Sequence, residues 1–342
     1  MKKIFVLLFL IVFCLVGCSK ENKDIRIVPT LDDEISGDSA WCATFQLVWN
    51  DMQDSITIDG VKMDPQPLIV ENLNKQSFKE DMISSEYIYK KFGEASPELK
   101  DEIINGIRAK FNQESNIINQ IDFEKSIEPN VKKYIFYAML YREFTYATKF
   151  DKLEKGKFFG TNPTNVEYFG IDENSKNKSA LLDQLEIYYY NDMSDFAIKI
   201  KTKENDEVVL VKNPEGSSFG EIWQKMIEKS LDNPKRLKEV GSDIQFKMPK
   251  LAFNITKEFD EIENKIFDTK YGKNDAKIDK AMQSIEFEID AMGGRVKSEA
   301  AMQVVNQGGR LFYLNDTFAL FLKEKDKETP YFGALINDIT KY

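Results

Sequence analysis

The chemistry open to this chain is set by its cysteines, its carboxylates and one polar run near the C-terminus. It has three cysteines, Cys14, Cys18 and Cys42, and no histidine. Without imidazole there is no Ser-His or Cys-His couple and no imidazole general base. A zinc site also loses its usual donors. Carboxylates alone can do acid–base work, but Asp and Glu are scattered through turns and helix faces, and no pair stands out. The run Asp172 to Asn177 lacks the ligand spacing and glycine of a calcium loop and reads as a solvated turn. We therefore expect no enzyme, no cofactor and no metal.

The cysteine with a chemical role is Cys18. Lys2 and Lys3 precede an apolar run, Ile4 to Val16, which is short for a membrane span and matches a secretory h-region. The run ends in Leu15-Val16-Gly17-Cys18, small residues before a cysteine, the pattern of a bacterial lipobox whose thiol receives lipid. A lipid chain anchors a protein through about 0.8 kcal/mol per buried CH₂. The expectation is a signal peptide over 1–17, then a lipidated cysteine and flexible tether over 18–39. One domain over 40–342 would follow, held on the bacterial cell envelope and facing outside the cytoplasm. Cys42 stands alone in "SAWCATFQLVWNDM" and reads as a small buried hydrophobe.

With 47 basic residues against 57 acidic ones, nucleic acid is not an expected partner, since no surplus exists to neutralise phosphate. The expected partners are the membrane, through the lipid anchor, and an extracellular protease or other protein. A monomer is expected.

The elements that must position any site follow from periodicity. A helix is predicted from about Ala40 to Asp51. A second follows Ser96 and Pro97, with Leu99, Ile103, Ile107 and Phe111 as its apolar stripe. "YIFYAMLYREF" reads as a buried strand. Residues 185–213 read as three strands, turning at Asn191-Asp192 and at Glu204 to Asp206. Ser218 and Glu221 suggest a capping box before Ile222, Met226 and Ile227. "IQFKMPKLAFNI" gives two strands around Pro249, Ile285, Phe287 and Ile289 alternate in another, and "FALFLKEKDKETPYFGALI" is a hairpin. The fold class is α+β, with large sheets and a helical N-terminal half.

Between the last two of these lies "RVKSEAAMQVVNQGGRLF", Arg295 to Phe312, which has no core pattern. Its setting resembles the serpin family. "YAMLYREFTYATKFDK" is similar to the serpin strand Asn-Ala-x-Tyr-Phe-x-Gly-x-Trp, with Ala138, Tyr141, Tyr146 and Phe150 at its key positions. "LLDQLEIYYYNDMSDFAIKIKTK" and "FKMPKLAFNITKEFDEI" resemble two further serpin segments. "SEAAM" resembles the small-residue hinge, and the final hairpin resembles the C-terminal serpin hairpin. The resemblance spans about residues 133–342, with a shortened N-terminal half.

The resemblance implies a large central sheet with smaller sheets, and a loop that baits a protease and inserts into the central sheet after cleavage. Its hinge would be Gly294, Ser298, Glu299, Ala300 and Ala301. Its reactive loop would include Asn306, Gly308, Gly309, Arg310 and Leu311. Arg310 or Leu311 as bait would suit a trypsin-like or chymotrypsin-like enzyme respectively. The chain departs from the family at "GGRVKSEAA", where Gly-Thr-Glu-Ala-Ala is usual, so Arg295 and Lys297 fall where small residues are expected. It also has Tyr137 for a buried asparagine and Tyr146 for a tryptophan. Three readings result: a serpin-like surface lipoprotein that binds or supports without inhibiting, one that inhibits a serine or cysteine protease through 298–312, or an unrelated solute- or polymer-binding lipoprotein using Tyr188, Tyr189 and Tyr190.

Overall fold

The computed structural model describes residues 25–128, 130–234, 239–294 and 310–342. The body starts earlier than the sequence predicts. β1 (Arg26–Ile27) pairs in parallel with β2 (Ser39–Cys42), and Ile25, Ile27, Val28, Leu31 and Ile35 are buried. Residues 25–39 are thus packed structure, not tether. Their apolar positions are too few to show a period, and only pairing with a distant partner buries them. The helix expected from Ala40 also shifts. Ala40, Trp41 and Cys42 belong to β2, and α1 runs over Thr44–Ile56.

Along the chain there follow α2 (Leu68–Asn74), β3 (Ile88–Glu94), α3 (Pro97–Phe111), β4 (Lys132–Leu140) and β5 (Phe144–Thr145). Next come β6 (Asp151–Phe158), β7 (Thr164–Ile171), α4 (Lys178–Asp183), β8 (Leu185–Asp192), β9 (Asp195–Lys201), β10 (Asp206–Lys212) and α5 (Phe219–Asp232). The last third holds β11 (Gln245–Pro249), β12 (Leu251–Glu258), β13 (Lys265–Thr269), β14 (Gly272–Ile278), β15 (Met282–Ile289) and β16 (Gly293–Gly294). β17 (Leu311–Tyr313), β18 (Phe318–Glu324) and β19 (Phe332–Ile336) close it.

The foundation is a seven-stranded sheet in the order β1-β2-β19-β18-β10-β9-β8. Its central strands, β10 and β18, are buried at every position: their apolar runs, Val208–Val211 and Phe318–Leu322, fill the core, and the charged residues at their ends are buried against partners. The turn between β8 and β9 falls at Met193-Ser194, just beyond the predicted Asn191-Asp192, because β8 continues to Asp192. α5 lays Phe219 and Trp223 edge-on to Phe321 of β18. Its Ser218 cap accepts from the Glu221 amide at 3.1 Å, while the Glu221 carboxylate accepts from the Ser217 amide at 2.8 Å, so the predicted box is displaced by one residue. α3 forms as predicted, with the Ser96 hydroxyl accepting from the Leu99 amide.

A second sheet has the order β17-β11-β7-β6. The strands facing α1 do not form one sheet. β12 and β15 make one antiparallel pair, and β3 and β4 make another, extended by the β13–β14 hairpin. The β12–β15 pair rests on the seven-stranded sheet, where the Phe287 and Phe332 rings stack at 4.8 Å. The face of β4 carrying Ile135 and Tyr137 packs instead on α3 through Leu99, Ile103 and Ile107.

Candidate functional site: a cleft between two strand pairs

The two strand pairs are separated by a cleft of about 1180 Å³. On one side, β15 is paired with β12 from Met282 opposite Glu258 to Ile289 opposite Leu251. On the other, β4 is paired with β3 from Tyr134 opposite Glu94 to Leu140 opposite Ile88. Among the described residues, nothing pairs with the remaining edge of β15, nor with that of β4 beyond Lys133. Two rows of backbone donors and acceptors therefore face each other across the cleft. Such edges recruit a strand unless they are covered. Phe45, Trp49 and Met52 of α1 line the floor beneath.

One end of the cleft is shut. β14 runs parallel to β4 and pairs with it at Ala276–Lys132 and Lys277–Lys133. The Lys133 ammonium sits there between Asp122 at 2.6 Å and Asp279 at 3.0 Å. Burial pulls its pKa down, but the two carboxylates more than offset this and hold it above the ordinary lysine value.

The other end carries the entry to the loop. After β15 the chain turns in two residues, Ala291 and Met292. Asp290 and Gly293 exchange backbone hydrogen bonds, 2.9 Å from the Asp290 amide and 3.3 Å from the Gly293 amide. Gly293 and Gly294 then pair with Thr145 and Phe144 of β5. Gly293 has φ +142°, and a Cβ there would lie 2.2 Å from the Phe144 carbonyl oxygen, so only glycine fits. Of the predicted hinge, Gly294 is thus seen at the mouth of the cleft. Ser298, Glu299, Ala300 and Ala301 lie outside the described residues, as do Asn306, Gly308, Gly309 and the lipidation candidate Cys18.

Arg310 and Leu311 are described and are already engaged. The Arg310 carbonyl accepts from the Gln245 amide at 3.1 Å, its guanidinium donates to the Glu239 carbonyl, and Leu311 opens β17 opposite Gln245. Both residues are therefore held at the edge of the second sheet.

Beside the mouth lies an ionic cluster that sequence reasoning missed. The guanidinium of Arg142, two residues past β4, is buried against Asp206 and Glu324 at the ends of β10 and β18. It stacks 3.6 Å from the centre of the Tyr87 ring. Glu324 also accepts from the Ser84 amide and hydroxyl, at 3.1 and 2.8 Å, and Asp206 accepts from the Tyr331 hydroxyl at 2.7 Å. Burial raises the Asp206 pKa, with Arg142 opposing. A single arginine inside the apolar run "YAMLYREF" was the available signal, since a charge there demands partners.

Other expectations resolve simply. Cys42 is buried on β2 and its thiol pKa is raised by burial, as befits an inert core residue. Tyr189 is buried, and Tyr190 packs at 4.9 Å on Phe312, so the three tyrosines do not form an open binding face. Asp172 to Ser175 is a turn in which the Asp172 carboxylate accepts from the Asn174 amide at 2.8 Å. The carboxylates of Glu258 and Glu263, clustered with Asp260, are already met by Lys280.

A split strand layer over a large buried sheet, with β16 at the mouth of the split, is a serpin-like arrangement. Comparison with solved structures agrees. The chain superposes on the insect serpin Serpin48 of Tenebrio molitor with a TM-score of 0.50 and 13% identity, covering 89% of this chain and 92% of that one. It superposes on mouse protein-Z dependent protease inhibitor with a TM-score of 0.51 and 13% identity, over the same shares. No protein-family model matches the chain, and no curated protein matches it by sequence. The likeness is one of fold.

Proposed function

We propose that this chain is a non-enzymatic protease inhibitor that works by strand insertion, with the loop 295–309 as bait and the cleft as its acceptor. The observation that carries the reading is the pair of strand edges on β4 and β15, unpaired among the described residues, that face each other beside Gly294. Filling such a cleft with a strand satisfies both rows of backbone groups at once, so the uncut chain stores the free energy that cleavage releases. The protease serine or cysteine attacks the bait carbonyl and the amine side leaves. Insertion of the freed strand then carries the acyl-enzyme away before water completes the cycle.

Because Arg310 and Leu311 are engaged with β11, we place the bait bond before Arg310, within 305–309. The lipobox at Cys18 supports an envelope-anchored form facing outside the cytoplasm, as a monomer whose partner is an extracellular protease.

A second reading is a serpin-like binding or structural module that does not trap. The basic residues Arg295 and Lys297 at the hinge favour it, since an unpaired buried charge opposes insertion.

Incubation of a soluble form starting at Lys20 with trypsin-like, chymotrypsin-like and subtilisin-like proteases separates the two. Inhibition yields a covalent complex that survives a denaturing gel. The module reading yields cleaved chain and active protease only.

A further inference from the structure

We propose that the turn between β6 and β7, with Phe159 and Lys157 at its tip, rests on the membrane surface that holds the lipid of Cys18. The inference rests on the envelope-anchored reading and adds to it the face that meets the bilayer.

A lipid on Cys18 leaves the body little freedom. Only Ser19 to Asp24 separate Cys18 from Ile25, which is already buried in the body. In any conformation that stretch of chain spans at most about 25 Å. The surface beside Ile25 therefore stays within that distance of the bilayer. The entry point is fixed by β1. The Arg26 amide donates to the Asp38 carbonyl at 3.0 Å, and the Asp38 carboxylate accepts from the Asn337 and Asp338 amides at 2.8 and 2.9 Å.

The β6–β7 turn is bonded to the same segment. The Asn337 carbonyl accepts from the Thr161 amide at 2.9 Å, and the Phe159 amide donates to the Asn315 carbonyl at 2.7 Å. A Cβ at Gly160 would fall 1.9 Å from the Asn337 carbonyl oxygen, so this close approach admits only glycine. Asn337 thus joins the anchor's entry to the turn through its own amide and carbonyl.

What the turn presents suits a lipid surface. Phe158 is buried edge-on to Phe318, whereas the next ring, Phe159, is 51% exposed. The Lys157 ammonium lies 5.5 Å from the centre of the Phe159 ring, and Lys155, Lys157 and Pro163 are exposed. A lone exposed phenylalanine is ordinary on a protein surface. This one sits on a braced turn beside the anchor and carries cations. Residues 155–166, "KGKFFGTNPTNV", hold no acid in a chain with 57 of them, so the tip is locally basic. Of the acids around it, Glu167 pairs with Lys155 at 3.7 Å, Asp338 accepts from Asn162, and Asp316 accepts from the Thr317 amide at 2.8 Å. A ring at the boundary of headgroups and acyl chains, with an ammonium left among the phosphates, is how amphipathic surfaces rest on anionic bilayers. The placement also clears the entry to β17. β7 runs from Thr164 at the turn to Ile171, which lies opposite Phe246 and, through it, Phe312 of β17. The eight residues of β7 set Arg310 roughly 25 Å from the tip. A protease can approach that end while the turn rests on lipid.

The test uses the full lipidated chain in vesicles of phosphatidylethanolamine and phosphatidylglycerol that carry a collisional quencher in the acyl region. A fluorophore is placed on Pro163→Cys at the turn, or on Glu173→Cys beyond the far end of β7. Both sites are exposed, and Cys42 is buried and does not compete for the label. Quenching at position 163 is expected to exceed that at position 173 by about threefold or more. Lys157→Glu with Phe159→Ser should lower it to the level at position 173, with the melting temperature unchanged because both side chains are exposed. Equal quenching at the two positions, or quenching at position 163 that survives the double change, overturns the membrane contact while the anchor stands. A parent chain that stays in the aqueous phase as fully as Cys18→Ala does overturns both the anchor and the contact.

Discussion

Arg142 and Asp206 meet edge to edge, Nη2 2.9 Å from Oδ1 and Nε 3.1 Å from Oδ2, with both side chains almost wholly buried. The pair joins the end of β4 to the start of β10, and through Glu324 to the end of β18. It thereby ties the split layer to the intact sheet at the mouth of the cleft. Removing the cation strands two buried carboxylates. Arg142→Met is expected to cost about 3–5 kcal/mol, read as a loss in chemical denaturation. Arg142→Lys should recover only part of it, because an ammonium lacks the planar fork that donates from Nε to Asp206 and from Nη1 to Glu324. A loss below about 1 kcal/mol for Arg142→Met would mean the cluster does not hold the layers together.

Lys212 gives a pH signature of opposite character. Its ammonium donates to the Tyr313 carbonyl at 2.9 Å and to the Asn315 side-chain oxygen at 2.7 Å, with no carboxylate bonded to it among the described residues, and burial, opposed by the Asp316 charge, lowers its pKa to about 8. Between pH 8 and the ordinary lysine value of 10.5, the unfolded chain binds the proton that the folded chain has released. Stability therefore rises with pH across that window, and the burial cost is fully present below pH 8. The gain is on the order of 3 kcal/mol. Tyrosines titrate near its upper end, so the quantity to follow is the stability difference between the parent chain and Lys212→Met. That difference should shift in favour of the parent as pH rises through the window. A difference constant with pH would contradict the assignment.

Tyr146 occupies the core beneath β5, 4.8 Å from Phe150 and 6.3 Å from Phe169. Its hydroxyl is buried without a hydrogen-bond partner among the described residues, and burial holds its pKa well above the usual tyrosine range. Deleting an unsatisfied hydroxyl removes a desolvation cost and few contacts. Tyr146→Phe is expected to be neutral or more stable by up to about 1 kcal/mol in denaturant melts. A clear destabilisation would show that the hydroxyl has a partner.

What could be read from the sequence was local. The Ser96 and Ser218 caps, the alternation of Ile285, Phe287 and Ile289, and the unbroken apolar strands around Val209 and Leu320 each carry their signal within a few residues. What could not be read depended on distant partners. The edge strand β3 has Lys90 and Lys91 at its centre, and Lys90 is answered by Asp51 and Glu80. The β13–β14 hairpin is rich in charge and reads as loop, yet Phe267 and Ala276 are buried and its pairing with β4 shuts the cleft. Ala40 to Cys42 suit helix or strand equally, and β19 decides the matter.

The candidate site divides in the same way. Its order along the chain was legible as a family resemblance. The structure adds the mouth of the cleft, where Gly293 and Gly294 pair with Thr145 and Phe144, a long-range pairing that no local pattern announces.

The most direct test of strand insertion is backbone hydrogen exchange before and after a single cut within 305–309. In the intact chain, the cleft-facing amides of Tyr134–Leu140 and Met282–Glu288 should exchange quickly, while those bonded to β3 and β12 stay protected. After cutting, both segments should gain protection together with 295–304, because one new strand would bond to both edges. Unchanged exchange in these segments, with the cut complete and the fold intact, would contradict insertion and leave a serpin-like fold that does not use its cleft.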